Sequence, residues 1–298
     1  MLDKIVQSAL RRNDQLLGLD DVVEKEILHH DILQVLQSEG ILQQLTFIGG
    51  TSLRVCYNSS HLSENLDFTA GVNFNASRFD GMAEQLQQHL HRKYGLKVDV
   101  REPKLTTTDT TTWKITIEKY AGRPDLPSQK MHIDVCALPS FDRQFHSAID
   151  HYGIQSPIAS LPLPVQSLDE ILADKMVAFA FRQRRIKPRD VWDIMWLKQR
   201  GIVQDPALIR RKLEVREKSI QSYTQNTEQH CQLVMADKGT ELDFKREMSR
   251  FLPQDIRTNT LNNPNFWGAV GREIVNDVTH INDILKGKES PKSAKFKM

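Results

Sequence analysis

The chain has 298 residues, of which 39% are hydrophobic and 26% are charged, a composition typical of globular proteins rather than of disordered or collagen-like chains. This length corresponds to roughly two domains. No apolar run approaches the ~20 residues of a membrane-spanning helix, and the first residues lack the apolar segment of a secretory signal. Cys56, Cys136 and Cys231 stand far apart, without a metal-type spacing. We therefore expect a reduced, cytoplasmic protein with no membrane partner.

The formal net charge of +2 hides an uneven distribution. Residues 1–150 carry 16 Lys and Arg against 20 Asp and Glu, a net charge of −4, whereas residues 151–298 carry 24 against 18, a net charge of +6. Basic surface attracts polyanions such as nucleic acids. The imbalance also fits charges spread by chance over solvated faces, so its meaning depends on the motifs.

The first half of the chain has patterns of both helices and strands. Helical periodicity covers residues 2–17, 22–38 and 78–94. A Thr-rich segment, 106–112, is either a turn or the start of a strand. Short β-prone or alternating segments predict about five strands, at residues 45–48, 66–69, 96–100, 113–118 and 131–136. We therefore expect a mixed sheet with flanking helices and a helical prelude over residues 1–155.

The second half is predicted to be helical. Gly153, Pro157, Pro162 and Pro164 break regular structure and predict a linker at residues 156–166. Helical patterns then continue over residues 167–285. The last segment, 286–298, holds five lysines and is predicted to be a disordered basic tail.

The first candidate site is a strand-to-helix turn. A β-prone run ends at Gly49 and Gly50, and a helix is expected to begin at Thr51 or Ser52, either of which could cap it. Backbone N–H groups at a helix N-terminus favour bound anions such as phosphate. A tight turn without any ligand has the same sequence pattern.

The second candidate site lies on the predicted strands. Asn65 and Asp67 are two residues apart and therefore share one face of a strand. Oxygen ligands in this arrangement suit Mg²⁺, which binds one or two carboxylates plus substrate phosphates. Asp134 interrupts an apolar alternating strand and shares its face with His132. Solvated polar residues at a strand edge would look the same.

The helical half supplies further charged candidates. Lys175 follows Asp174 in the helix after the linker, and the next helix begins with Arg189 and Asp190. Arg189 and Asp193 have the i, i+4 spacing of an ordinary helical ion pair. Candidate nucleic-acid contacts, which a solvated helix face would equally explain, are Arg182, Arg184, Arg185, Lys187, Arg210, Arg211 and Lys212.

Together these motifs resemble the nucleotidyltransferase superfamily of polymerase-β-like enzymes. Within it, the sequence is similar to the AbiEii-type nucleotidyltransferase toxins of bacterial type IV toxin–antitoxin and phage-defence systems. The resemblance spans about residues 24–200. It rests on residues 49–54 (GGTSLR), 63–68 (SENLDF), 170–175 (EILADK) and 189–194 (RDVWDI).

The resemblance implies an α+β fold and a function. The fold is a polymerase-β-like core followed by an α-helical C-terminal domain. The function is Mg²⁺-dependent transfer of an NMP from an NTP to an acceptor, which we expect to be RNA such as a tRNA end, with a cognate antitoxin as partner. The implied catalytic residues are Asp67, Asp134, Lys175 and Asp190. The implied metal ligands are Asn65, Asp67 and Asp134. The implied nucleotide contacts are Gly49, Gly50, Thr51, Ser52, Ser63, Lys175 and Arg189.

Position 65 departs from the family pattern. The family's first metal ligand is usually Asp, and this chain has Asn65. We expect Asn65 to serve as a neutral ligand, with help from Glu64. Altered chemistry and a catalytically weakened nucleotide- or RNA-binding protein are the alternatives. A protein acceptor for the NMP, and a housekeeping enzyme unrelated to toxicity, also stay open.

Overall fold

A computed structural model describes residues 1–103, 109–120, 125–156 and 158–287. The strands are β1 Thr46–Ile48, β2 Leu66–Thr69, β3 Lys97–Arg101, β4 Thr110–Glu118, β5 Gln129–Cys136, β6 Arg143–Ser147 and β7 Pro162–Gln166. The helices are α1 Leu2–Arg12, α2 Asp20–Ser38, α3 Gly49–Tyr57, α4 Met82–Tyr94, α5 Leu168–Phe181, α6 Pro188–Gln199, α7 Pro206–Glu214, α8 Ile220–Ala236, α9 Lys238–Met248, α10 Gln254–Asn259 and α11 Phe266–Leu285.

The strands form one mixed sheet with the order β3-β4-β5-β2-β1-β7-β6. The β2–β5 and β1–β7 pairs are parallel, and the other neighbouring pairs are antiparallel. Alternation buries Trp113, Ile115, Ile133 and Val135 completely or nearly so on one face. This confirms the α+β class. The described residues contain seven strands, however, and not the five that the patterns predict.

The two additional strands have sequences that do not look like strands. β6 is an edge strand whose residues are mostly polar and exposed, so it lacks apolar alternation. β7 lies inside the segment predicted as a linker, and Phe47 of β1 pairs with its Val165. Proline usually marks edge strands or strand starts. Pro162 follows this rule because it begins β7, whereas Pro164 lies inside β7, opposite Phe145 of β6. Residues 162–166 are therefore part of the sheet.

The helix after β1 begins earlier than predicted. α3 starts at Gly49, and no side chain caps it. Thr51 and Ser52 lie within its first turn, so the expected capping role of either residue is wrong. Their hydroxyls bond elsewhere, as described below.

The chain divides into two compact units. The first contains Met1–Ser167 together with Arg250–Thr258, and the second contains Leu168–Ser249 and the described residues after Thr258. The segment Arg250–Thr258 is joined to the rest of the first unit by the backbone N–H of Leu62, which donates to the carbonyl of Phe251 at 2.8 Å. The sequence predicts instead one helical domain that runs without a break from 167 to 285. Pro157, residues 106–108 and the tail residues 288–298 lie outside the described residues.

The second unit is helical, as expected. Ala173 and Val177 of α5 pack with Ile209 of α7, Tyr223 of α8 and Ile281 of α11. Among the residues that the structure describes, no helix is long and apolar enough to cross a membrane.

Candidate active site

Asp67 and Asp134 lie side by side on neighbouring strands. They are register partners in the parallel β2–β5 pair, between the buried pairs Leu66↔Ile133 and Phe68↔Val135. Because successive side chains alternate, both aspartates project from the face opposite the apolar core, and both are only half-buried. The fold thus brings together two carboxylates that the sequence places on separate strands.

A third strand fixes the orientation of Asp134. Thr112 of β4 is its register partner on the other side, and the Thr112 hydroxyl donates to Asp134 Oδ1 at 2.5 Å. A row Asp67–Asp134–Thr112 therefore crosses three strands. Thr112 is not among the predicted site residues, and its only sequence signal is the Thr-rich segment that ends with it.

The backbone of the strand-to-helix turn lies against Asp67. Ile48 of β1 is the register partner of Asp67. Gly49 follows with φ +75°, and a Cβ at this position would be 3.1 Å from Asp67 Oδ2. A residue with a Cβ would be strained in this conformation and would press against the Asp67 carboxylate. Gly50 is half-buried in the first turn of α3.

The hydroxyls near this turn are engaged inside the protein. Thr51 and Ser52 are fully buried, and Ser63 is nearly so. The Thr51 hydroxyl contacts the Ser63 hydroxyl and the carbonyl of Asn65, and Ser52 Oγ donates to the carbonyl of Gly49 at 2.8 Å. This geometry gives the three hydroxyls a positioning role. Their contacts with phosphate stay a prediction.

The amide of Asn65 links the two carboxylate-bearing strands. Its Oδ1 accepts the backbone N–H of His132 at 3.1 Å, directly before the β2–β5 ladder begins. Because an aspartate oxygen could accept the same bond, the amide is not required by this contact. Metal ligation by Asn65 stays a prediction.

A buried ion cluster holds the loop that leads into β2. Glu26 of α2 accepts the N–H of Ser63 at 2.9 Å, Arg54 Nε at 3.1 Å and the hydroxyl of Tyr152. Arg54 also donates to the carbonyl of Ser59 at 2.9 Å. Burial opposes ionisation of Glu26, but Arg54 and Tyr152 together hold its pKa below the usual value. Glu26 has no motif signal beyond being a charged residue in a buried helix.

The carboxylates suit a divalent cation that its substrate helps to bind. Within the described ranges, no group of three or more His, Cys, Asp or Glu side chains could hold a metal by itself. Mg²⁺ typically uses one or two protein carboxylates and completes its shell with water and phosphate oxygens. Asp67 and Asp134 meet that requirement, with Asn65 as a neighbouring neutral oxygen.

The second unit holds its own charged cluster. Lys175 Nζ of α5 lies 2.9 Å from Asp190 Oδ1 and 2.7 Å from Asp193 Oδ2 of α6, and Arg182 Nη2 lies 3.1 Å from Asp190 Oδ2. Burial favours neutral forms, but the charges prevail: the pKa of Lys175 is raised and that of Asp190 is lowered. Asp193 thus contacts Lys175, and the ion pair of Arg189 with Asp193 stays a prediction.

Arg189 contacts a carboxylate from a different helix. Its Nε donates to Glu247 Oε1 of α9 at 3.2 Å. Arg185 donates to Glu247 Oε2 at 2.7 Å, and Lys187 Nζ lies 3.5 Å from Oε1. Glu247 thus gathers three cations. Sequence spacing could not reveal it, because the contacts join residues far apart in the chain.

The predicted nucleic-acid contacts differ in exposure. Lys212 is 1% exposed, with Nζ 2.5 Å from Glu170 Oε1 and 2.8 Å from Asp174 Oδ2. Its predicted role as an RNA contact is wrong, because it is buried in an ion-pair cluster. Arg210 is half-buried and donates to the carbonyl of Leu285 at 3.0 Å. Arg182, Arg184, Arg185 and Arg211 are exposed, and Lys187 is half-buried.

Solved structures share this fold. The chain is similar to MenT4, a nucleotidyltransferase toxin from Mycobacterium tuberculosis H37Rv, with 18% identity and a TM-score of 0.53 over 97% of this chain and 99% of that one. It is also similar to JHP933 from Helicobacter pylori, with 13% identity and a TM-score of 0.51 over 90% and 94% of the two chains. A search of curated proteins finds no match.

The sequence profile described as "Nucleotidyl transferase AbiEii toxin, Type IV TA system" matches residues 31–272, which is most of the chain. This match confirms the resemblance that the motifs indicate. The matched span includes Asp67, Asp134 and the Lys175 cluster. The chain therefore belongs to the AbiEii nucleotidyltransferase toxin family of type IV toxin–antitoxin systems.

Proposed function

We propose that this nucleotidyltransferase moves an NMP from an NTP to RNA, such as a tRNA end, in a Mg²⁺-dependent reaction, and that an antitoxin opposes it. The observation that carries the proposal is the register pairing of Asp67 with Asp134, beside Gly49. Paired carboxylates on one sheet face are the ligand set that Mg²⁺ uses together with substrate phosphates.

Each group at the sheet has a defined part in this proposal. Asp67 and Asp134, with Asn65, would hold Mg²⁺, which when bound neutralises phosphate charge and orients an attacking hydroxyl. The Thr112 hydroxyl holds the Asp134 carboxylate in one orientation. Gly49, which has no side chain, allows the backbone to lie against Asp67.

The family motif also assigns phosphate contacts to Lys175 and Arg189 and a catalytic part to Asp190. In the second unit both cations have carboxylate partners, Asp190 for Lys175 and Glu247 for Arg189. Phosphate binding by either cation therefore involves competition with a carboxylate. We propose that Asp190 keeps Lys175 ionised and in place for this purpose.

RNA is the acceptor that the charges favour. The second half of the chain has a net charge of +6, and Arg182, Arg184 and Arg211 are exposed there. Contacts of Lys and Arg with phosphates dominate the affinity of proteins for nucleic acids. A protein acceptor would not need this excess of positive charge.

Transfer of label tests the proposal. The purified chain is incubated with each α-labelled NTP, Mg²⁺ and total tRNA, and the products are separated on a denaturing gel. We expect label in tRNA, lost with EDTA and in Asp67→Ala. Binding of NTP without transfer, or label on protein instead of tRNA, would contradict it. Induced expression in a bacterial host should arrest growth with the wild type and not with Asp67→Ala.

The second candidate function is that of a nucleotide- or RNA-binding protein with a weakened catalytic site. Asn65 favours it because its amide adds no charge beside Asp67. The substitution Asn65→Asp preserves an oxygen for the His132 N–H and restores a carboxylate. An unchanged transfer rate shows that the amide suffices. A large gain identifies a site weakened by the missing charge.

A further inference from the structure

We infer that a basic row on the exposed face of the sheet, formed by His132, Lys114 and Arg101, binds the sugar-phosphate backbone of the RNA acceptor beside Asp134. The inference rests on the proposed function and adds to it a binding surface for the acceptor. It arises from the register of three strands.

The three residues are aligned across the sheet. His132 of β5 is the register partner of Lys114 of β4, and Lys114 is the register partner of Arg101 of β3. The basic row therefore crosses three neighbouring strands, a span of roughly 10 Å at the usual spacing between strands.

The basic row runs directly beside the row that carries the carboxylates. His132 and Asp134 are two residues apart on β5, and Lys114 and Thr112 are two apart on β4, so both rows share one face of the sheet at a distance of roughly 7 Å. Asn65 Oδ1 accepts the His132 N–H, which ties the basic row to the strand of Asp67.

This face is open to solvent. Trp113 and Ile133, whose side chains point the other way, are completely buried. Lys114 is exposed, the side chain of Arg101 is 73% exposed, and His132 is half-buried. A ligand can therefore reach all three side chains.

Stability of the fold does not account for the basic row. Like charges directly opposite each other destabilise a sheet, and Lys114 faces Arg101. Arg101 contacts Asp99 at 2.9 Å, but so exposed an ion pair contributes little. Within the residues that the structure describes, no carboxylate pairs with Lys114. A ligand with successive negative charges would relieve this repulsion.

Other charges on this face lie farther from Asp134. Lys130 is exposed on β5, opposite Thr116, and Lys97 pairs with Glu118 at 2.8 Å at the opposite end of β3. The carboxylates of this face on β3 and β4, Asp99 and Glu118, are paired with Arg101 and Lys97.

The basic row extends away from the turn at which the nucleotide would bind. Gly49 and the helix N-terminus lie on the β1 side of Asp67, whereas the basic row extends from Asp134 toward β3, in the other direction along the sheet order. An NTP at the glycine turn and a polynucleotide on the basic row would therefore approach the two carboxylates from opposite sides.

Salt-dependent RNA binding tests the inference without any turnover. Fluorescein-labelled tRNA is titrated at several NaCl concentrations with the wild type, Lys114→Ala, Arg101→Ala and the double variant. The control is Arg92→Ala, which removes an exposed cation from α4 of the same unit. We expect each row substitution to weaken binding about two- to fivefold and to reduce the salt slope by about 0.7. Arg92→Ala should bind like the wild type.

Unfolding distinguishes a binding role from a structural one. Because removal of a like-charge pair relieves repulsion, the double variant should unfold at the same temperature as the wild type or higher. A lower unfolding temperature together with unchanged RNA affinity would contradict the inference. So would equal affinity and salt slope in the double variant and Arg92→Ala, or a wild type that does not bind tRNA.

The two proposals fail in different ways. RNA binding that depends on the basic row, without label transfer in the wild type, would support the binding surface and contradict the proposed function. Label transfer to tRNA with an unchanged acceptor KM in the double variant would support the proposed function and contradict the binding surface.

Discussion

Asp67 and Asp134 are held opposite each other by the apolar residues on either side of them. Leu66 pairs with Ile133 and Phe68 with Val135, and all four are buried. A slip of one residue by either strand would turn its carboxylate into the core and its apolar residues out of it. Burial of the core therefore keeps two like charges together, an arrangement suited to a cation shared between them.

Gly49 tests how closely the turn must approach Asp67. Gly49→Ala places a Cβ 3.1 Å from Asp67 Oδ2 and forces alanine to a φ of +75°. Gly40→Ala is a matched control, since φ is +69° there and nothing lies near its Cβ. Both substitutions should lower the free energy of unfolding by about 1–2 kcal/mol, measured in urea. Only Gly49→Ala should also reduce NMP transfer; equal transfer by the two variants would contradict the close approach.

Thr112 tests the orientation of Asp134. Thr112→Val keeps the shape of the side chain and removes the hydrogen bond to Asp134 Oδ1. Because a hydrogen bond to a charged group contributes about 1.5 kcal/mol or more, we expect transfer to fall about tenfold with little loss of secondary structure by circular dichroism. Thr116→Val, on the same face of β4, should transfer at the wild-type rate. An equal loss of transfer in both variants would show that any such change in β4 lowers the rate. It would contradict a specific role for the hydrogen bond to Asp134.

The burial of His29 predicts how the stability of the protein depends on pH. Its complete burial lowers its pKa from 6.5 to about 4, so between these values the unfolded chain binds a proton that the folded chain does not. The free energy of unfolding should therefore fall as the pH drops from 6.5 to 4, by on the order of 3 kcal/mol from His29 alone. Burial also lowers the pKa of His30 and His151, which adds to the slope.

Urea unfolding at pH 7.5, 6 and 5 measures this slope. His29→Gln keeps a donor for the carbonyl of Glu64 and removes the titration, so its slope should be shallower than that of the wild type. His91→Gln removes an exposed histidine and is the matched control substitution. A slope in His29→Gln as steep as in the wild type would show that His29 does not titrate differently on folding.

Substitution of Lys212 tests whether this residue stabilises the interior, where the structure places it, or contacts RNA, as the sequence predicts. Lys212→Ala leaves Glu170, which is 0% exposed, without the ammonium at 2.5 Å. Loss of one partner from a buried ion pair costs about 3–5 kcal/mol, which thermal and urea unfolding would detect. Arg211→Ala, at the exposed neighbouring position, should cost about 1 kcal/mol or less. A stable Lys212→Ala variant with weakened RNA binding would reverse the assignment.

Local patterns predict much of the fold and part of the candidate site. The five predicted strands are all present, and alternation places Asp67 and Asp134 on polar faces. That β2 lies beside β5 depends on a pairing between distant segments, which no local pattern encodes. β6 and β7 lack the expected signals, because one is polar and the other contains two prolines.

The partners of the charged motifs are equally non-local. Glu26 supports Arg54 and Ser63 from α2, and Glu247 meets Arg189 from α9. Lys212 resembles its exposed neighbours in sequence, and only the packing of α7 against α5 shows that it is buried.

The Asp67–Asp134 pair is tested most directly by the initial rate of labelled NMP transfer to tRNA in Asp67→Asn, Asp134→Asn and the double variant. Asp80→Asn, at an exposed position of the same unit, is the control. If the two carboxylates act as one unit, each single substitution should lower the rate by roughly 100-fold or more, and the double variant should lose little further. Asp80→Asn should stay within about twofold of the wild type. Wild-type transfer by either single variant, with folding unchanged, would contradict the central role of the Asp67–Asp134 pair.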